Sequence, residues 1–142
     1  MKIVAFAIEK TFKLLTDPDE KAEVGFRQAT FGEDLARQEL FAKRTQIFTD
    51  GDEGEYKVEQ EYNQLDIMVR EIYLTMTKAT GFEDAGGNEV FRFTAKDGKT
   101  FIDMPEAEFR KHLKFMTTEQ VREIHKRCLE VNPQWDPNRK GE

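Results

Sequence analysis

Two histidines (His112, His125), one cysteine (Cys128) and no serine make up the nucleophilic and imidazole chemistry of this 142-residue chain. Both histidines fall in stretches with helical patterning, and neither lies in a cluster of further Cys and His. A zinc site needs four ligands in a tight cluster, so each histidine is expected at a surface or boundary. Cys128 sits on an apolar helical stripe. Only the thiolate attacks, and burial suppresses it, so a buried structural thiol is the expectation. The 28 carboxylates offer more, since a pair converging in a pocket can hydrolyse a bond. An ordinary acidic surface looks the same in one dimension, and a carboxylate-dependent hydrolase stands only as an alternative.

The run Asp50-Gly51-Asp52-Glu53-Gly54-Glu55, with Glu61 beyond it, places carboxylates at positions one, three and twelve of a calcium loop. Position five is then Gly54 and position six Glu55, where the loop needs a ligand and then a glycine. A solvated acidic loop is the better reading. Gly86-Gly87 has no neighbouring Lys-Ser/Thr and reads as a turn. No catalytic residue, metal site or cofactor is assigned. Recognition through surfaces is expected instead of turnover.

The elements that must carry such surfaces give an α+β pattern: one small domain over residues 1–133, two short β-hairpins, about four helices, and a flexible tail over 134–142. Residues 11–27 form a hairpin around Asp17-Pro18-Asp19-Glu20. Thr30-Phe31-Gly32-Glu33 has capping-box spacing and opens a helix to about residue 44. Residues 46–62 are polar and predict a loop or a hairpin with a flexible tip. Leu65, Met68, Val69, Ile72, Tyr73 and Met76 recur at helical spacing, with Gly81 placed as a C-terminal cap. Two strands flank Lys96-Asp97-Gly98-Lys99, where Asp-Gly favours a hairpin turn. Asp103 and Glu106, with Pro105 between them, predict a capped helix bearing Phe109, Leu113 and Met116. Thr117 and Gln120 predict another, bearing Val121, Ile124, Cys128 and Leu129. Asn132-Pro133 ends it, because the residue before proline resists helical geometry.

The totals narrow the function classes. An apolar fraction of 38% against 35% charged residues implies a small core within long solvated faces, and twelve phenylalanines put that core largely on Phe. A net charge of −6 disfavours nucleic acid, whose phosphates attract Lys and Arg. No apolar run approaches a membrane span. A lone cysteine and no signal-peptide pattern point to the cytosol. Three side chains then stand out as candidate partner contacts. Ile67 and Leu74 lie a heptad apart, opposite the main stripe of their helix, which is therefore sandwiched or touches a partner. Trp135 follows Asn132-Pro133 in a polar tail, as a fold-back lid or as an interface anchor. Phe31 is ambiguous in the same way.

The last capped helix opens Thr117-Thr118-Glu119-Gln120 and ends Leu129-Glu130-Val131-Asn132-Pro133-Gln134-Trp135. This resembles the C-terminal end of the small tail assembly chaperones of long-tailed bacteriophages. Phe26-Arg27-Gln28-Ala29-Thr30, leading into an Arg/Glu-rich helix, is similar to the strand-to-helix entry in the same family. Together these stretches cover about a third of the chain, and the family has no catalytic signature. The resemblance implies a non-enzymatic helper in the host cytoplasm that binds the tape measure protein and tail-tube subunits and is absent from the finished virion. Ile67, Leu74 and Trp135 would then supply apolar seams within a charged shell. A structural tail or neck component retained in the virion is the rival, and association with further copies of the chain is left open.

Overall fold

The computed structural model describes residues 9–50 and 53–138, with side chains for 9–40 and 64–138. These residues form an α+β fold. A three-stranded antiparallel sheet has the order β1-β2-β3, and a separate two-stranded hairpin joins β4 to β5. Four helices complete it among the described residues.

Strand β1 (Glu9–Lys13) pairs with β2 (Glu23–Arg27), Thr11 opposite Gly25, as the sequence predicts. The connecting turn is held by Asp17, whose Oδ2 accepts from the backbone N–H groups of Lys21 (2.7 Å) and Ala22 (2.8 Å). A short acidic side chain that satisfies turn amides is what makes Asp favourable here. Strand β3 (Met76–Thr80) completes the sheet against β2, with a bulge between Gly25 and Phe26.

Strand β3 corrects the sequence reading, which continued a helix through Met76 and gave Gly81 the role of its cap. Helix α2 (Glu53–Thr75) stops one residue before Met76. Met76 prolongs the helical stripe on paper, yet its burial comes from the sheet. The threonines of Thr75-Met76-Thr77-Lys78-Ala79-Thr80 are β-branched and suit a pleated surface. Gly81 ends a strand. Its φ is +82°, and a Cβ there would lie 2.5 Å from the Lys21 carbonyl oxygen and 2.8 Å from Ala22 Cα. Gly81→Ala is therefore expected to lose about 2–3 kcal/mol from left-handed strain and backbone crowding. A lower urea midpoint with an unchanged slope would show it.

Helix α1 (Phe31–Asp50) opens on the predicted capping box. Glu33 N–H donates to Thr30 Oγ1 (3.2 Å), and Thr30 N–H donates to Glu33 Oε1 (2.9 Å). The helix runs past residue 44, and α2 begins at Glu53, so the polar stretch 46–62 is largely helical and not a loop. It is rich in Glu with two Gln, which favour helix even without a strong apolar stripe. The two helices return side by side: Arg37 Nε donates to Glu71 Oε2 (2.6 Å), and Arg70 donates to the Ala36 carbonyl (3.0 Å).

Strands β4 (Phe93–Lys96) and β5 (Lys99–Ile102) form the predicted hairpin, with Asp97 and Gly98 both at positive φ. Helix α3 (Glu106–Leu113) takes Pro105 as its N-cap without a side-chain cap, so the second expected capping box does not form. Met116 lies beyond the end of α3 yet still packs on the core. Helix α4 (Thr118–Val131) has the predicted Thr117–Gln120 box and ends at Asn132. A 3₁₀ turn, Pro133–Trp135, follows. Phe26, Ile72, Met76, Phe109, Ile124 and Cys128 are among the most deeply buried residues of the core, and Trp135 is buried in the same cluster. The domain thus extends beyond residue 133, and the tail does not begin at Gln134. The reliance on Phe is partial: Phe26 and Phe109 are fully buried, whereas Phe31 and Phe115 are exposed.

Polar braces tie the layers together. Asn132 joins α4 to the end of β2, accepting from Ala29 N–H (2.8 Å) and donating to the Arg27 carbonyl (3.0 Å). Glu123 clamps the β1–β2 turn to α4, accepting from Leu15 N–H (2.7 Å), Thr16 N–H (3.0 Å) and Thr16 Oγ1 (2.6 Å). Burial pushes the Glu123 carboxyl up, but those hydrogen bonds and Arg127 outweigh it and hold it below its ordinary value. Glu33 is likewise pushed up by burial and brought below its ordinary value by Arg27, Lys99 and the Thr30 amide. Asp17 is lowered mainly by the Ala22 amide, against a smaller burial effect. Folding favours all three ionised forms. Their contribution is complete above the ordinary values of 3.8 for Asp and 4.5 for Glu, and is lost as pH falls through the lower folded-state values. The thermal midpoint should fall as pH drops through that window, and less steeply in Glu123→Gln, which has no such proton to bind.

Candidate protein-binding groove

Of the three side chains expected to contact a partner, two are inside the protein. Ile67 is 8% exposed and Trp135 is 4% exposed. Leu74 is half-buried, and its carbonyl accepts from Arg27 (3.0 Å). Ile67 and Trp135 are thereby corrected as exposed seams, while Leu74 keeps a partly exposed side chain. Helix α2 packs against α1 and also against α3, α4 and β5, which is the sandwiched alternative for a helix apolar on two faces. Trp135 is the fold-back lid. Its Nε1 donates to Asp34 Oδ1 (2.7 Å), and the Arg37 guanidinium lies 5.4 Å from its ring centroid. Leu65 goes the other way: expected inside, it is 49% exposed.

Trp135 and Ile67 share a cleft of about 590 Å³ with Arg37, Met68, Glu71 and His125. Glu71 is buried, with His125 Nε2 2.6 Å from one oxygen and Arg37 Nε 2.6 Å from the other. A carboxylate that orients an imidazole is half of a nucleophile-activating relay. The nearest thiol, Cys128, is fully buried and lies 3.4 Å from Thr75 Oγ1. Burial pushes it up to about 12, and the Glu71 charge adds to this against the Thr75 hydrogen bond and Arg37. It stays protonated at neutral pH. The arrangement joins α1, α2 and α4 as a brace. His112, half-buried on α3, stands edge-on to Phe91. The calcium-like run lies partly on helix ends and partly outside the described residues at 51–52. Among the described residues, no three His, Cys, Asp or Glu side chains are grouped to hold a metal.

A second depression is open and apolar. Leu65, Met68 and Val69 of α2, Leu113 of α3, Met116, and Val121 of α4 line a groove of about 440 Å³. Among the described residues the charged lining side chains are Arg110, Lys114 and Arg122, all cations, in a chain of net charge −6. Arg110 is engaged by Asp66 (2.7 Å) and Glu106 (3.3 Å). Lys114 and Arg122 are exposed and make no ion pair among the described residues. Two methionines in the floor give a polarizable, adaptable surface of the kind that accepts varied apolar partners. The periodicity of α2 identifies Leu65, Met68 and Val69, but their meeting with Leu113 and Val121 depends on the α2–α3–α4 packing.

Among the described residues no helix is long and apolar enough to cross a membrane. Compared with family models, with curated proteins and with solved structures, the chain matches none of them.

Proposed function

We propose that the protein is a non-enzymatic assembly chaperone that holds an apolar helical segment of a client in the α2–α3–α4 groove. The observation that carries this is the open methionine-containing floor, with Leu65 half exposed at its edge. An apolar depression rimmed by polar side chains is the ordinary form of a protein-docking surface, and a helix laid into such a groove is a recurring mode of recognition. The resemblance to small phage tail assembly chaperones supports the same reading. It would make the client the tape measure protein, with tail-tube subunits as further partners, met in the host cytoplasm before polymerisation. The residues that carry the resemblance are structural: Thr117 and Gln120 cap α4, while Asn132 and Trp135 close the core. They speak for a shared C-terminal element, and the groove speaks for the binding.

The test is titration of the full chain with apolar helical peptides drawn from tape measure proteins of long-tailed phages. Leu65→Gln with Met116→Gln leaves charge unchanged and should weaken binding at least about tenfold, the effect of roughly 1.4 kcal/mol. Phe115→Gln, which alters the exposed ring beside the groove, should change nothing. Equal binding by all three would reject the groove as the site. Recovery of the protein from purified virions would favour the retained structural component instead.

A further inference from the structure

We infer that the groove selects an amphipathic helix whose apolar face is flanked by acidic side chains. This rests on the groove being the client site and adds the chemistry of the client. The apolar floor dictates an apolar stripe on the partner, and the rim dictates what must border that stripe. Among the described residues, all three charged lining residues are cations, although carboxylates outnumber Lys and Arg by 28 to 22 in the chain. The Arg110 charge is already answered by Asp66 and Glu106, so it offers a partner little. Lys114 and Arg122 are exposed and unanswered among the described residues, one at the end of α3 and the other on α4. Their aliphatic stems can extend the apolar floor while their charged heads stay at its edge.

A helix seated there brings its flanking positions against these two heads. Glutamates at those positions gain two charge-assisted contacts. Lysines meet like charge, which disfavours the wrong partner. The chain's overall negative charge repels an acidic client at distances beyond a Debye length, about 8 Å at physiological salt. Selection is therefore local to the rim and resides in the lifetime of the complex more than in its encounter rate.

Two synthetic helical peptides of equal length and identical Leu/Met stripe, one flanked by Glu and one by Lys, provide the test by fluorescence anisotropy on the full chain. The Glu peptide should bind about three- to tenfold more tightly, the sum of two exposed pairs, and high salt should narrow the gap. Lys114→Glu with Arg122→Glu should invert the preference while the thermal midpoint stays close to that of the parent. Equal binding of both peptides, unchanged by the reversal, would overturn acidic selection and leave the groove itself standing. Failure of both peptides to bind, whatever the salt, would remove the groove reading with it. A dimer seen by sedimentation and dissolved by the same reversal would give the groove to a second copy and overturn the inference.

Discussion

Arg27→Met is expected to destabilise the protein by about 3–5 kcal/mol, the scale for breaking a buried ion pair from one side. Arg27 is 3% exposed, and its two terminal nitrogens meet the two Glu33 oxygens at 2.6 Å each. The same guanidinium also donates to the Thr100 carbonyl (3.2 Å) and the Leu74 carbonyl (3.0 Å). One side chain thus joins β2 to α1, to the end of α2 and to β5. Methionine fills much of the volume but leaves both carbonyls without that donor, and leaves Glu33 with Lys99 (2.8 Å) and the Thr30 amide. The loss exceeds that of an exposed pair because little water reaches the vacated groups. Denaturant unfolding of the parent and variant measures it. Adding Glu33→Leu should cost less than the sum of the single changes, since the second change removes the stranded carboxylate. A loss below about 1 kcal/mol, the range of surface pairs, would show that the contact is solvated.

Trp135→Ala is expected to lose a similar amount, about 3–5 kcal/mol, through lost packing and the cavity left behind. The ring is 4% exposed and covers the end of the core beside Arg37. Trp135→Phe separates the terms: it keeps most of the apolar surface and removes the Nε1 hydrogen bond to Asp34. That variant should lose about 1.5–3 kcal/mol, the value of a hydrogen bond to a charged group. Differential scanning calorimetry distinguishes the lid from an anchor. An interface anchor could be truncated with the melting temperature unchanged and only client binding impaired.

Local signals were legible where the backbone chemistry is local. The Thr30–Glu33 and Thr117–Gln120 boxes, the Asp97-Gly98 turn and the Asn132-Pro133 stop each bring their partners from within a few residues. They form as the sequence predicts. The α2-to-β3 boundary was not legible. Met76 serves a helical stripe and a buried strand position equally well, and the pairing of β3 with Val24 and Gly25 some fifty residues earlier decides between them. The polar stretch 46–62 failed in the opposite sense, since it lacks the strong stripe from which a helix is usually read.

The candidate site was only half legible. The α2 stripe names Leu65, Met68 and Val69 but assigns all three to the core. The pair Ile67 and Leu74 shows a second apolar side but not that Ile67 is buried within this chain while Leu74 stays half-buried. The groove exists because α3 and α4 stop short of covering Leu65, a matter of helix placement that periodicity does not contain. Lys114 and Arg122 look like ordinary solvated charges until the fold places them on one apolar rim.

Methyl NMR of selectively labelled methionines tests the central claim most directly, because Met68 and Met116 line the groove while Met76 and Met104 are buried in the core. Adding the Glu-flanked helix should move the Met68 and Met116 methyl signals saturably and leave those of Met76 and Met104 in place. A full titration that leaves Met116 unmoved, or that shifts only signals remote from α2, α3 and α4, would contradict a client held in that groove.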